Sequence, residues 1–196
     1  DDVILFVPRE AVERLVRPGR LEMLPRLSSG WRYNAFADLS GGRHDDSALA
    51  IAHKTNEGVI VLDRVVRWAA DGSSPYSVVE AMAKELTRYG LKSVTGDNYA
   101  ADFVAQSFRS AGIRFTKSTQ SKSELYRELL PRLFGDELEL LDDSVLVDQL
   151  SNLERRTRSG GKDVIDHPQG QKDDVANAVA GVVASCAVRR IKIGAF

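Results

Sequence analysis

The apolar positions change period along the chain, and each change marks an element. Val3-Ile4-Leu5-Phe6-Val7 predicts a short strand, and Glu10 to Val16 predicts one or two helical turns stopped by Pro18-Gly19. Pro25 and Ser28-Ser29-Gly30 read as loop, so the first 30 residues read as a solvated connector with a basic tilt (Arg9, Arg14, Arg17, Arg20, Arg26). From Trp31 the signals become regular. Tyr33 to Leu39, Ser47 to His53 and Gly58 to Val66 are strand candidates separated by short, turn-like gaps, Ser40-Gly41-Gly42 and Thr55-Asn56-Glu57-Gly58. Gaps that short make hairpins, so these three strands should be antiparallel.

The period then lengthens. Ser74-Pro75 opens a helix in which Val78, Val79, Met82, Ala83, Leu86 and Tyr89 recur at helical spacing up to Gly90. Leu91 to Asp97 is extended. Ala100, Val104, Phe108 and Ala111 form the next helical stripe, closed by Gly112, and Ile113 to Thr116 is extended again. Strand, helix, strand in this order is a βαβ unit with parallel strands. Lys122 to Phe134 predicts a helix, Leu138 to Leu141 a short extended piece and Val145 to Leu153 a helix. Glu154 to Ile165, with Ser159-Gly160-Gly161 inside it, reads as a hairpin or mobile loop. The last element is a helix from about Gln171 to Val188, with Val175, Val179, Val182, Val183 and Cys186 as its stripe. Its other positions are unusually small (Ala176, Ala178, Ala180, Gly181, Ala184), which lets a helix lie close against a sheet. The fold class is therefore α/β: a mixed sheet of three antiparallel strands followed by parallel βαβ strands, with helices on both faces.

Composition narrows the class. At 196 residues the chain is about one domain, long enough to bury a core without staples. A single cysteine, Cys186, precludes an internal disulfide framework and fits a reducing compartment. No apolar run reaches the roughly 20 residues that cross a bilayer, so no membrane role is expected, and no basic-then-apolar leader opens the chain. Asp1 in place of Met leads us to expect a piece of a larger protein. The net charge of -1, from 27 Lys+Arg against 28 Asp+Glu, argues by itself against a nucleic-acid partner. Where the charges sit changes that picture.

Asp38 ends the first sheet strand within an apolar stretch, Asp97 ends the strand Val94-Thr95-Gly96-Asp97, and Asp173 and Asp174 open the last helix. Aspartate is disfavoured in strands, and sites in sheets of this kind form at strand carboxyl ends. Were the two strands parallel neighbours, Asp38 and Asp97 would end side by side, and the last helix would bring Asp174 over the same edge. Each acid also has a plain structural reading: Asp97 as a helix cap, Asp173 and Asp174 as partners of a helix dipole, Asp38 as a turn former. Clustered carboxylates raise one another's pKa and need compensation. An all-oxygen set without Cys or His pairs suits Mg²⁺ or Mn²⁺, and two such ions make a clamp for phosphodiester hydrolysis.

Phe36-Ala37-Asp38-Leu39-Ser40-Gly41-Gly42, then Thr95-Gly96-Asp97, then Lys172-Asp173-Asp174-Val175-Ala176-Asn177-Ala178 together resemble the nuclease domain of tailed-bacteriophage terminase large subunits, over roughly residues 31 to 188. The resemblance implies a ribonuclease H-like fold and a metal-dependent endonuclease that cuts concatemeric DNA during genome packaging. It implies Asp38 and Asp97 as metal-binding, catalytic acids and Asp174 as the helix ligand, a role Asp173 shares or replaces. It further implies two Mg²⁺ or Mn²⁺ ions and double-stranded DNA as substrate. Its implied partners are the terminase ATPase domain, the small terminase subunit and the portal, and its implied setting is the host cytoplasm at the procapsid. No Gly-x-x-x-x-Gly-Lys-Ser/Thr loop is present, so the packaging motor is not in this chain, and Val59 to Asp63 reads as a buried strand. Residues 1–30 are then expected to be an interdomain linker remnant, 31–188 the nuclease domain and 189–196 a basic tail.

DNA would need cations around the acids. The densest basic run holds Arg155, Arg156, Arg158 and Lys162, just upstream of the Asp pair; Lys172 and Arg43 are further candidates for phosphate contact, with Lys117 and Lys122 lesser ones. Asp45 and Asp46 read as a solvated turn, and His167 as a structural or solvated histidine with a lesser chance of acting near the leaving group. The competing readings are another ribonuclease H-like enzyme (junction resolvase or transposase), a non-catalytic DNA-binding or docking module, and half of a sugar-kinase-like ATPase.

Overall fold

The computed structural model describes residues 3–39, 46–97, 101–157 and 163–187. Its elements run β1 (Val3–Leu5), α1 (Arg9–Glu13), β2 (Tyr33–Asp38), β3 (Ser47–Lys54), β4 (Ile60–Trp68), α2 (Pro75–Arg88), β5 (Ser93–Gly96), α3 (Ala101–Ser110) and β6 (Arg114–Lys117). They continue with α4 (Lys122–Phe134), β7 (Leu138–Glu139), α5 (Ser144–Ser151), β8 (Glu154–Thr157), β9 (Asp163–Asp166) and α6 (Asp174–Ala187).

Six strands form one sheet in the order β6-β5-β2-β3-β4-β7. The β2-β3-β4 meander is antiparallel, as its short gaps require. The crossovers through α2 and α3 place β5 beside β2 and β6 beside β5, both parallel. β7 adds a parallel edge to β4. Alternation along the central strands sorts side chains into two cores. Tyr33, Ala35, Ala37, Leu49 and Ile51 pack against α2 and α3. Phe36, Ala48, Ala50 and Ala52 face the other way, toward α6 and the α4–α5 side. The alanines of β3 leave room for α6, which is buried along nearly its whole length.

The boundaries moved for local reasons. β4 runs to Trp68, two residues past the expected end at Val66, and carries a bulge: Ile51 pairs with Arg64 and Ala52 with Leu62, leaving Asp63 as the extra residue. The Asp63 carbonyl accepts the Met23 N–H at 2.8 Å, and its carboxylate lies 2.8 Å from His53 Nδ1 in the core. The expected buried strand at Val59 to Asp63 is thus present. α6 begins at Asp174, because Gln171 closes a turn on the Pro168 carbonyl at 3.1 Å and 171–173 are irregular.

A second sheet is small and antiparallel, in the order β1-β8-β9. The hairpin expected between Glu154 and Ile165 is β8–β9, and β1 joins it through Val3 to Leu5 pairing with Arg156 to Glu154. The segment before Trp31, expected to be a solvated connector, is instead wound onto the body, because Val7, Val12 and Leu15 are apolar enough to join the main core. Val7 and Val12 are buried in the main core, Arg17 and Arg20 pair with Glu139, and Phe6 N–H donates to Leu153 O at 2.8 Å. Among the described residues no helix is long and apolar enough to cross a membrane.

Candidate active site

The register of β2 on β5 sets the site. Phe36 lies opposite Thr95 and Ala37 opposite Gly96, so the next residues, Asp38 and Asp97, leave adjacent parallel strands at the same edge. Gly96 is required there: a Cβ on it would lie 2.6 Å from the Phe115 ring and 2.7 Å from the Ala37 carbonyl oxygen. The glycine lets β5 come close enough to β2 to bring the two acids together.

α6 crosses the same face. Asn34 Nδ2 of β2 donates to Cys186 Sγ at 3.4 Å, the Phe36 ring lies under Gly181, and Asn177 Nδ2 donates to Asp38 Oδ2 at 2.8 Å. Three alternate residues of β2 thus meet three successive turns of the helix. Gly181 permits the approach, since a Cβ there would sit 2.2 Å from Phe36 Cγ. The helix is thereby fixed with its first turn over the end of β2.

Part of the first turn is satisfied by other groups. Buried Gln149 of α5 accepts the Ala176 N–H at 3.0 Å, and the Asp173 carbonyl accepts the Asn177 N–H at 2.7 Å. The two acids differ in their surroundings. Asp173 is compensated: Tyr126 OH donates to its Oδ2 at 2.8 Å, Lys122 Nζ lies 3.1 Å away, and His167 Nδ1 is 2.9 Å from Oδ1. Lys122 also reaches Asp166 at 2.6 Å. Asp166, His167 and Asp173 have ligand-type atoms within 4.8 Å of one another, with the Lys122 ammonium beside two of them. Burial works against the Lys122 charge, but Asp173 and Asp166 outweigh it and raise its pKa. The Tyr126 phenol is driven well above its ordinary value by burial and by Asp173.

Among the described residues Asp38 has no such compensation. Burial and the charge of Asp97 push its carboxyl well above the ordinary range; Asp174 and Asp173 push the same way, and the Asn177 amide only partly offsets them. The structure therefore brings the other three predicted acids within electrostatic reach of Asp38. A partly buried, all-oxygen carboxylate set with excess negative charge fits a hard divalent cation.

The predicted cations are distributed differently. Lys172 Nζ lies 2.6 Å from Asp46, which also takes Arg67 at 3.1 Å and the Ala70 N–H at 3.0 Å. Asp46 is 2% exposed, which corrects its reading as a solvated turn: two cations and a backbone donor stabilise its charge in the interior. Arg155 pairs with Asp163 and Arg156 with Glu154, both half-exposed on the β8–β9 hairpin. Arg43, Asp45, Arg158, Lys162 and the tail 189–196 lie outside the described residues. Sequence reasoning did not single out Lys122, Tyr126 or Asp166 as partners of the Asp pair, and it left His167 a minor candidate. The capping-box spacing Ser121 to Glu124 was a signal that Lys122 opens a helix, but nothing local shows where that helix points.

No protein-family model matches the sequence, and no curated protein matches it. Solved structures do match. The large terminase nuclease of thermophilic phage G20c with bound magnesium is similar with a TM-score of 0.74 at 18% identity, over 92% of this chain and 98% of that one. The HK97 bacteriophage large terminase is similar with a TM-score of 0.73 at 18% identity, over 94% of this chain but 44% of that one. The nuclease domain of the large terminase subunit of bacterial virus Sf6 gives 0.67 at 13% identity, over 91% of this chain and 98% of that one. The chain thus shares the ribonuclease H-like fold of phage large terminase nuclease domains and spans less than half the length of the HK97 protein.

Proposed function

We propose that this chain is a divalent-metal-dependent DNA endonuclease that cuts concatemeric viral DNA during genome packaging. The observation that carries the reading is the convergence of Asp38, Asp97, Asp174 and Asp173 where β2, β5 and the first turn of α6 meet, with Asp38 left under-compensated. The shared fold adds support, and the G20c nuclease of that fold binds magnesium. Asp38, Asp97 and Asp174 would supply oxygen ligands to Mg²⁺ or Mn²⁺. Two such ions would activate water and steady the leaving oxygen in phosphodiester hydrolysis.

The chain's own groups have separable tasks. Asn177 holds one oxygen of Asp38 and so fixes its orientation. Tyr126, Lys122 and His167 hold Asp173 at the start of α6, making Asp173 the buttress of the turn that carries Asp174. Arg155 and Arg156, with Arg158, Lys162, Lys172 and Arg43, would contact DNA phosphates. In this reading residues 31–188 are the nuclease unit, 1–30 the link toward a terminase ATPase domain and 189–196 a basic tail. The partners are double-stranded DNA, the ATPase domain, the small subunit and the portal, and the setting is the host cytoplasm at the procapsid.

Plasmid nicking in Mg²⁺ or Mn²⁺ tests the proposal. Asp38→Asn and Asp97→Asn should abolish nicking while circular dichroism stays native. Full activity in a folded Asp38→Asn variant would overturn it, and a melting temperature unmoved by Mn²⁺ would favour a docking module instead.

A further inference from the structure

A groove of about 1130 Å³ runs along the flank of the carboxyl-terminal half of α6 and around the amino-terminal end of β2, where Tyr33 and Tyr89 of the opposite core also line it. Phe36 and Gly181 floor it, and Thr95 and Thr116 continue it toward the sheet edge at β6. Strand geometry ties it to the candidate active site. Side chains two residues apart share a face, so Phe36 leads to Asp38 and Thr95 leads to Asp97. On the side toward the acids the lining ends at Phe36, Thr95 and Ser118, two residues short of Asp38 and Asp97 along their strands, and the other end lies by Arg32 and Lys54, at the amino-terminal end of β2.

The charge of this lining is one-sided. Among the described residues that line the groove none is Asp or Glu, although 28 of the chain's 196 residues are acidic. Its cations are Arg32, Lys54 and Lys117, all exposed. Most arginines near acids are committed to ion pairs, as Arg9, Arg17, Arg64 and Arg88 are. Arg32, Lys54 and Lys117 enter none with a described residue. The remaining polar lining consists of hydroxyls and amides, such as Asn34, Ser118 and Gln120. Lys, Arg, Ser, Thr, Asn and Gln are the side chains that contact the sugar–phosphate backbone. Along β2 the lining runs from Arg32 to Phe36, about 13 Å at 3.3–3.4 Å per residue, room for a few nucleotides of one strand.

We propose that this groove binds single-stranded DNA, a few nucleotides of one strand leading away from the cleavage site. The inference rests on the nuclease reading and extends it, giving the substrate a path that the basic β8–β9 hairpin does not supply.

The test is fluorescence anisotropy with a labelled single-stranded oligonucleotide, with EDTA present so that nothing is cut, over a series of salt concentrations. The triple variant Arg32→Ala/Lys54→Ala/Lys117→Ala should bind more weakly, and its slope of log K against log[salt] should fall by about 2, at roughly 0.7 per phosphate contact on a single strand. Thr116→Ile, which narrows the groove without changing charge or adding a ring on which bases could stack, should weaken binding while leaving Mn²⁺ affinity as it was. An unchanged slope in the triple variant would overturn the proposal. So would retention of oligonucleotide affinity in Thr116→Ile, or binding of polyglutamate in place of the oligonucleotide, which would make the groove a peptide site. The two readings fail separately. An active Asp38→Asn variant sinks the nuclease and leaves the salt slope standing, whereas an unchanged slope beside an inactive Asp38→Asn variant sinks only the groove.

Discussion

Replacing Gly181 by alanine should damage both the fold and the candidate metal site, by amounts the structure allows one to work out. The added Cβ would lie 2.2 Å from Phe36 Cγ and 2.4 and 2.5 Å from its two Cδ atoms, whereas ordinary contact begins at 3.4 Å. The clash is with the body of a buried ring, so either Phe36 or α6 must retreat by more than an ångström. Two effects oppose each other. Alanine is a better helix former than glycine by about 0.8–1 kcal/mol. Overpacking a filled core costs about 1–3 kcal/mol, and a clash with three ring atoms belongs at the upper end. The net expectation is a loss of roughly 1–2 kcal/mol, read by urea denaturation. The second readout is Mn²⁺ binding by calorimetry. Asn177 lies one turn before Gly181, so a retreat of that size breaks its 2.8 Å bond to Asp38 and carries Asp174 away from β2. Affinity should fall at least tenfold. Phe36→Leu in the Gly181→Ala background should recover part of both losses, giving a coupling energy that independent sites would not show. A Gly181→Ala protein as stable as the parent, with unaltered Mn²⁺ affinity, would refute the reasoning.

Other outcomes follow from the same contacts. Because the Asp38 carboxyl is raised by burial and by Asp97, the folded metal-free protein holds that proton more tightly than the unfolded chain, and stability from this group falls as pH rises above the usual carboxylate range. Metal-free Asp38→Asn should therefore melt higher than the parent at pH 7, with the gap closing toward pH ~4; a gap independent of pH would contradict this. Tyr126→Phe removes a donor from buried Asp173 and should cost about 1–3 kcal/mol in urea denaturation; a neutral result would mean that Lys122 and His167 suffice. Burial pushes the Cys186 thiol up to about 12, so a thiol-exchange reagent at pH 8 should label it only after unfolding, and rapid native labelling would count against the packing of α6.

Much of the fold was legible because its signals are local. Hairpin gaps implied the antiparallel meander and the strand–helix–strand order implied parallel β5 and β6; that β5 lies beside β2, from which the meeting of Asp38 and Asp97 follows, stood in the sequence only as a condition, because a crossover does not say which edge it returns to. The small residues of the last helix announced a close approach to the sheet, and Gly181 over Phe36 is that approach. What was not legible depends on distant segments. Asp46 is buried because Arg67 lies 21 residues away in sequence and Lys172 lies 126 away. Lys122 meets Asp166 and Asp173 across 44 and 51 residues. β1 joins the β8–β9 hairpin by backbone pairing alone, with Val3, Ile4 and Leu5 exposed, so no apolar pattern could announce its partner. The bulge at Asp63 had one local sign, a charge inside an apolar run, and its cause is a contact with Met23.

The three contacts between β2 and α6 also act as a ruler. From Asn177 to Cys186 the helix advances about 13.5 Å at 1.5 Å per residue, and from Asp38 back to Asn34 the strand covers about 13.4 Å at 3.3–3.4 Å per residue. Helix and strand therefore stay in phase over exactly the stretch that ends at the acids. Gly181→Ala displaces the helix by about an ångström, but a one-residue deletion between Asn177 and Cys186 would turn Asp174 by about 100° around the helix axis. The length of this part of the chain is therefore held as tightly as its two key residues, Asn177 and Gly181, and natural insertions in proteins of this architecture should avoid it.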